Sequence, residues 1–188
     1  ALLNYDPKCS VTNIDDEDPI SNNIIYLGNK GWNLIKLKHL GIEIPNGFII
    51  TTEVFKCLDL INKYTPAAVN FKQHVASMLA RLEEKSHASF GDLKNPLLLS
   101  VRSGSSISQP GMLDSFLNVG INEEIAESIA EKTGNPWFAW DSYRRFLQAY
   151  GMTFNIQRDA FDQVISGFKE RHNISFKRYF TGDQMREV

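Results

Sequence analysis

With 188 residues, 43% hydrophobic and 22% charged, the chain has the make-up of an ordinary globular domain, long enough to bury about 70% of its unfolded surface in one core or two small ones. Its 20 basic and 22 acidic residues give a net charge of −2, and Arg144–Arg145 is its one arginine pair, so no nucleic-acid partner is expected. No stretch approaches the roughly 18 apolar residues of a membrane span, ALLNYDPKCS lacks the pattern of a signal peptide, and Cys9 and Cys57 read as free thiols, so a cytoplasmic protein is expected.

Residues 24–27, IIYL, read as a short strand ahead of the turn GNKG. Leu34, Leu37 and Leu40 then repeat near helical spacing up to a capping Gly41. Pro45, Asn46 and Gly47 supply a turn and Phe48–Ile50 a second strand. Thr51 or Thr52 caps a helix from about Glu53. Phe71, Val75, Met78, Leu79 and Leu82 form one stripe, predicting an amphipathic helix over about 67–86.

PLLLSVR, from Pro96, is a continuous apolar run typical of a strand buried on both faces. SFLNVG, 115–120, is its hairpin partner. Helices follow: one capped by Asn122 with Glu123 and Glu124 in its first turn and ending near Gly134, and one started by Asn135 and Pro136 and ending before Gly151. The last of the bundle carries Phe161, Val164, Ile165 and Phe168 at i, i+3, i+4 and i+7. TGDQMREV reads as the opening of one more helix capped by Thr181, as if the sequence stopped inside a larger protein. The predicted architecture is therefore α/β (α+β): a lobe over 1–120 with a mixed sheet and helices, then a small helical subdomain over 121–188.

Two glycine-bearing turns carry the chemical signal. In GNKG, Gly28 and Gly31 let the backbone approach a ligand, and Lys30 places an ammonium where a helix N-terminus favours phosphate. On spacing alone this is a four-residue match without the P-loop pattern, and a solvated lysine in a turn is the blander reading. In SVRSGSSISQPGML, Arg102 sits where a strand leaves the sheet and offers a rigid fork to phosphate oxygens, with Ser103, Gly104, Ser105, Ser106 and Ser108 supplying further donors. A salt bridge from Arg102 to Asp114 accounts for the same residues equally well. The four histidines are isolated and match no zinc pattern, so no metal site is expected within these residues. No nucleophile elbow occurs. The aromatic residues from Trp137 to Tyr150 read as helix packing, and Asp141 reads as a helix-surface partner of Arg144 and Arg145.

Three blocks, GNKGWNLIKLKHLGIEIPNGFIITTEVF, LLLSVRSGSSISQPGMLDSFLNVGIN and GNPWFAWDSYRRFLQAYG, together resemble the N-terminal nucleotide-binding domain of the pyruvate, phosphate dikinase family from about residue 24 onward. The resemblance implies a partial ATP-grasp-like domain in an enzyme that passes phosphate from ATP to a histidine on a swivelling domain and then to pyruvate. Such an enzyme consumes ATP and inorganic phosphate and yields AMP, diphosphate and phosphoenolpyruvate. By motif, Lys30 and Arg102 would hold ATP phosphates as the catalytic cations. Gly28, Gly31, Ser103 and Gly104 would line the nucleotide, and the loop at Gly111, Met112 and Leu113 would close over it.

Where the family usually has SVRSGAR and SMPGMMDT, this chain has Ser106 for the second arginine, Gln109 and Leu113 for methionines and Ser115 for threonine; Asn29 replaces a glycine of GGKG. A non-catalytic nucleotide sensor of the same fold and a water-dikinase relative such as phosphoenolpyruvate synthase are the alternative readings. The resemblance places the magnesium ligands beyond residue 188, with the phosphohistidine and pyruvate-binding domains. The fragment alone is accordingly expected to be inactive, and the full-length protein is allowed a homodimer.

Overall fold

The computed structural model describes residues 5–16, 20, 22–103 and 115–188. They are helical for the most part, with two small sheets, an α+β arrangement. In place of one mixed sheet, each described sheet has two strands, both antiparallel. The chain divides into two compact units, residues 1–87 with 103–113, and residues 88–102 with 114–188.

In the first unit a 3₁₀ turn over Pro7–Cys9, capped by the Asp6 carboxylate, leads into β1, Val11–Asn13. β1 pairs with β2, Phe48–Ile50, in the register Val11 to Ile50 and Asn13 to Phe48. Between them runs α1, Ile24–His39, whose cap Asn23 accepts from the Ile25 amide. Here the expected strand at 24–27 gives way to a turn of helix. A four-residue apolar run carries no periodicity that separates strand from helix, and the Asn23 cap decides it. The expected break survives as a kink, with Gly28 at φ 65° and ψ 172° inside α1.

Three helices complete this unit: α2, Thr52–Lys56; α3, Leu58–Lys63; and α4, Thr65–Ser86. α4 starts two residues earlier than the sequence predicts, because Pro66 occupies its first turn, where a missing amide costs nothing. Thr51 stands at the N-terminus of α2 but makes no side-chain cap; its hydroxyl donates to the Cys9 carbonyl at 2.5 Å. Two apolar clusters form: Ile14, Leu27 and Ile35 under Trp32 and Ile49, and Val54, Cys57, Ile61 and Ala67 under Phe71.

The second unit opens with β3, Leu99–Arg102, paired with β4, Ser115–Val119. The pairing slips by one residue between Leu99 and Val101, and Asn118 of β4 takes a positive φ of 59°, a bulge that asparagine tolerates better than most residues. PLLLSVR is not buried on both faces as its composition suggests: Leu97 is buried, but Val101 is 47% exposed. Apolar content fixes a preference for burial, whereas a two-stranded sheet supplies one neighbour and leaves a face uncovered.

α5, Glu123–Thr133, and α6, Pro136–Met152, follow, then α7, Arg158–Arg171, a 3₁₀ turn at Lys177–Tyr179 and α8, Gly182–Glu187. Their caps are those the sequence signals. Asn122 accepts from Ile125, Asn135 accepts from Phe138, and Thr181 and Gln184 form a reciprocal capping box. Ile121, Ile125, Ala126, Trp140, Phe168, Phe180 and Met185 make the core, with Trp137, Tyr143 and Phe146 packed against it, so these aromatic residues of α6 are helix packing, whereas Phe138 and Tyr150 are half exposed. On α7 Phe168 is 1% exposed but Val164 is 54% exposed, a narrower apolar face than the spacing implies.

Candidate functional site

Gly28 opens the site in the first unit. Its φ and ψ lie in a region open almost only to glycine, and an added Cβ would meet nothing within 4 Å, so backbone conformation rather than crowding demands glycine there. The helix resumes through Asn29, Lys30 and Gly31. Gly31 is buried, and a Cβ on it would lie 2.9 Å from Ile49 Cδ1 and 3.3 Å from Leu27 Cβ. Its bare Cα therefore lets α1 sit against β2.

Between these glycines Lys30 is exposed, and its Nζ donates to the main-chain carbonyl of Ser103 at 2.8 Å. An ammonium has three donors, so this contact leaves donor capacity for an anion. Ser103 belongs to the same compact unit as Lys30 and follows Arg102 directly in the chain. Arg102 is exposed at the end of β3, paired with Ser115 across the ladder. Gly104, Gly111, Met112 and Leu113, together with Ser105, Ser106, Ser108 and Asp114, lie outside the described residues.

Two carboxylate clusters hold charge elsewhere. In the first unit Asp15 takes ion pairs from Lys38 and Lys85, and Asp16 takes a bidentate pair from Arg81 at 2.8 and 3.0 Å. The hydrogen bonds from Lys38 and Lys85 lower the Asp15 pKa. In the second unit Asp141 is only 3% exposed, which corrects its reading as a surface partner. It accepts from Arg144 Nε at 2.9 Å, Arg145 Nε at 2.8 Å and Lys177 Nζ at 2.6 Å. Burial pushes its pKa up, but the bonds from Lys177 and Arg144 outweigh that and hold it below the ordinary aspartate value. Spacing in α6 reveals the two arginines; Lys177, 36 residues away, has no local signal.

Among the described residues no group of three or more His, Cys, Asp or Glu is placed to hold a metal ion. No helix among them is long and apolar enough to cross a membrane.

No family model matches the chain. Curated relatives do. It is 40% identical over 163 residues to "Pyruvate, phosphate dikinase" of Clostridium symbiosum, covering 86% of this chain and 18% of that protein. It is 43% identical over 164 residues to the protein of that name from Rickettsia prowazekii, and 34% identical over 173 residues to that from Entamoeba histolytica, the last spanning 92% of this chain. Over most of its length the chain is similar to one segment of these pyruvate, phosphate dikinases. It spans less than a fifth of the length of these dikinases, 18–19% in each case. The similarity runs through most of the chain rather than through one short motif.

Proposed function

We propose that this chain supplies part of the ATP site of a dikinase-type phosphotransferase, in an ATP-grasp-like domain of a cytoplasmic protein. Lys30 and Arg102 bind ATP phosphates, with Gly28, Gly31, Ser103, Gly104, Gly111, Met112 and Leu113 as the further nucleotide-binding residues. Phosphate passes from ATP to a histidine on a further domain and then to pyruvate, with inorganic phosphate as second acceptor. The observation that carries this reading is the Lys30 ammonium on the Ser103 carbonyl, because it ties the glycine turn of α1 to the start of the serine-rich loop. Both segments fall within the stretch resembling the dikinases.

The described cations suit an anionic ligand: an exposed ammonium and an exposed guanidinium. In phosphoryl transfer the protein contributes mainly positioning and charge neutralisation, which cations at these places supply. Magnesium, when bound, would share the neutralisation of the phosphates. Its ligands are assigned to residues beyond 188, where the rest of the dikinase would lie.

A second reading is favoured by one substitution. Ser106 stands where the family usually has an arginine, which removes a phosphate clamp and suits a nucleotide sensor that no longer transfers phosphate. The deciding experiment is incubation of the full-length protein with radiolabelled ATP. Label retained on a histidine supports the phosphotransferase; ATP binding without label supports the sensor; neither binding nor label overturns both.

A further inference from the structure

We infer that Lys30 is a positioning residue for the loop that leaves β3: its ammonium anchors the Ser103 carbonyl and does so independently of any nucleotide. The phosphate role of Lys30 rests on the proposed function above; the anchoring role does not. Lys30 and Ser103 are 73 residues apart, and the bond is 2.8 Å long, within the range of a good charge-assisted contact. The acceptor is a main-chain oxygen, so the bond constrains the backbone itself.

Three further observations support an anchor over a chance surface contact. Lys30 sits in the stretch of α1 immediately after the Gly28 kink, and the kink sets the direction in which that stretch leaves the first turn of the helix. The neighbouring Gly31 packs against Ile49, which fixes the helix under Lys30 to β2. The base of the lysine is thus held by core packing, while its head holds a chain segment remote in sequence. Finally, a lysine has three N–H donors and the carbonyl uses one, so anchoring and phosphate binding do not compete for the same hydrogen. The carbonyl held is that of the Ser103–Gly104 peptide, so the constraint falls on the chain one residue after Arg102.

The chain offers a selective probe. Labelling serine carbonyl carbons with ¹³C and glycine nitrogens with ¹⁵N makes only Ser–Gly peptide bonds visible in a carbonyl-correlated spectrum, and the sequence has two, Ser103–Gly104 and Ser166–Gly167. The second lies in α7 and serves as an internal reference for folding. With no nucleotide present, Lys30→Met should shift the Ser103–Gly104 signal and leave the Ser166–Gly167 signal in place. Lys30→Arg, which keeps donors, should return the shifted signal toward its original position. An unmoved Ser103–Gly104 signal in Lys30→Met overturns the anchor.

Magnesium-free ATP titrated into the unsubstituted chain separates this from the parent reading. Phosphate binding by the anchored lysine keeps the Ser103 carbonyl shift away from its Lys30→Met value. Migration onto that value overturns the simultaneous use of both contacts. An ATP titration without any shift or heat counts against the ATP site in this chain and leaves the anchor standing on the Lys30→Met result.

Discussion

The Nζ of Lys30 lies 2.8 Å from the main-chain oxygen of Ser103, joining the glycine turn of α1 to the residue that follows Arg102. A charge-assisted hydrogen bond contributes roughly 1.5–3 kcal/mol, so loss of this ammonium from a phosphate should weaken ATP binding by roughly 10- to 150-fold. We expect that loss in Lys30→Ala, measured by titration calorimetry on the full-length protein. Because Lys30 is exposed, its Tm should barely move. Unchanged affinity would remove Lys30 from the nucleotide site.

Arg102 is the second cation of the proposal. It is exposed on β3, where a substitution removes little packing. Arg102→Ala in the full-length protein is expected to abolish ATP-dependent histidine phosphorylation while leaving the thermal midpoint nearly unchanged. A large drop in Tm accompanied by normal phosphorylation would make the arginine a structural partner instead.

The parts of this fold legible in the sequence are those set by neighbours a few residues apart. Asn122, Asn135 and Thr181 cap the helices their positions signal, since a cap is a bond to an amide two or three residues on. The β3–β4 hairpin follows from two apolar runs. Two of the readings failed, one at a local cap and one for want of a second strand neighbour. IIYL at 24–27 is helical because of a cap, not a period, and PLLLSVR is half exposed because pairing with β4 alone leaves a face open. The candidate site divides in the same way. Glycine, lysine and arginine stood out as residue types, but the acceptor of Lys30 is a backbone oxygen 73 residues away, and no side chain advertises it.

Gly31 offers a test of the packing that supports Lys30. In Gly31→Ala the new methyl would lie 2.9 Å from Ile49 Cδ1, the end of a side chain that must turn aside. Overpacking of this kind costs about 1–3 kcal/mol, partly offset by the better helix propensity of alanine, about 1 kcal/mol. Ile49→Val deletes that Cδ1 and alone costs about 0.5–1.5 kcal/mol. The double variant should therefore be more stable than the sum of the two single losses, read as a positive coupling in urea denaturation. Strict additivity would mean that α1 and β2 do not meet at these residues.

Asp141 makes the strongest stability prediction, because a carboxylate only 3% exposed holds three cations. Removing one partner of a buried ion pair typically costs about 3–5 kcal/mol, so Asp141→Ala should lower stability on that scale, since it strands the largely buried Arg144 and Lys177. Asp162→Ala, which breaks the exposed 3.9 Å pair with Arg158, should change it by less than about 0.5 kcal/mol. The pH dependence follows from the direction of the shift. Asp141 has a folded pKa below the ordinary 3.8, so at intermediate pH the unfolded chain binds the extra proton. Its contribution is complete above that ordinary value and drains away as pH falls below it toward the lowered folded pKa. Urea midpoints measured from pH 6 down to about 2.5 should fall more steeply for the unsubstituted chain than for Asp141→Ala, in which this acid-labile contribution is already lost. Parallel profiles for the two proteins would mean that Asp141 titrates alike in the folded and unfolded states, which is incompatible with a carboxylate clamped by Arg144 and Lys177.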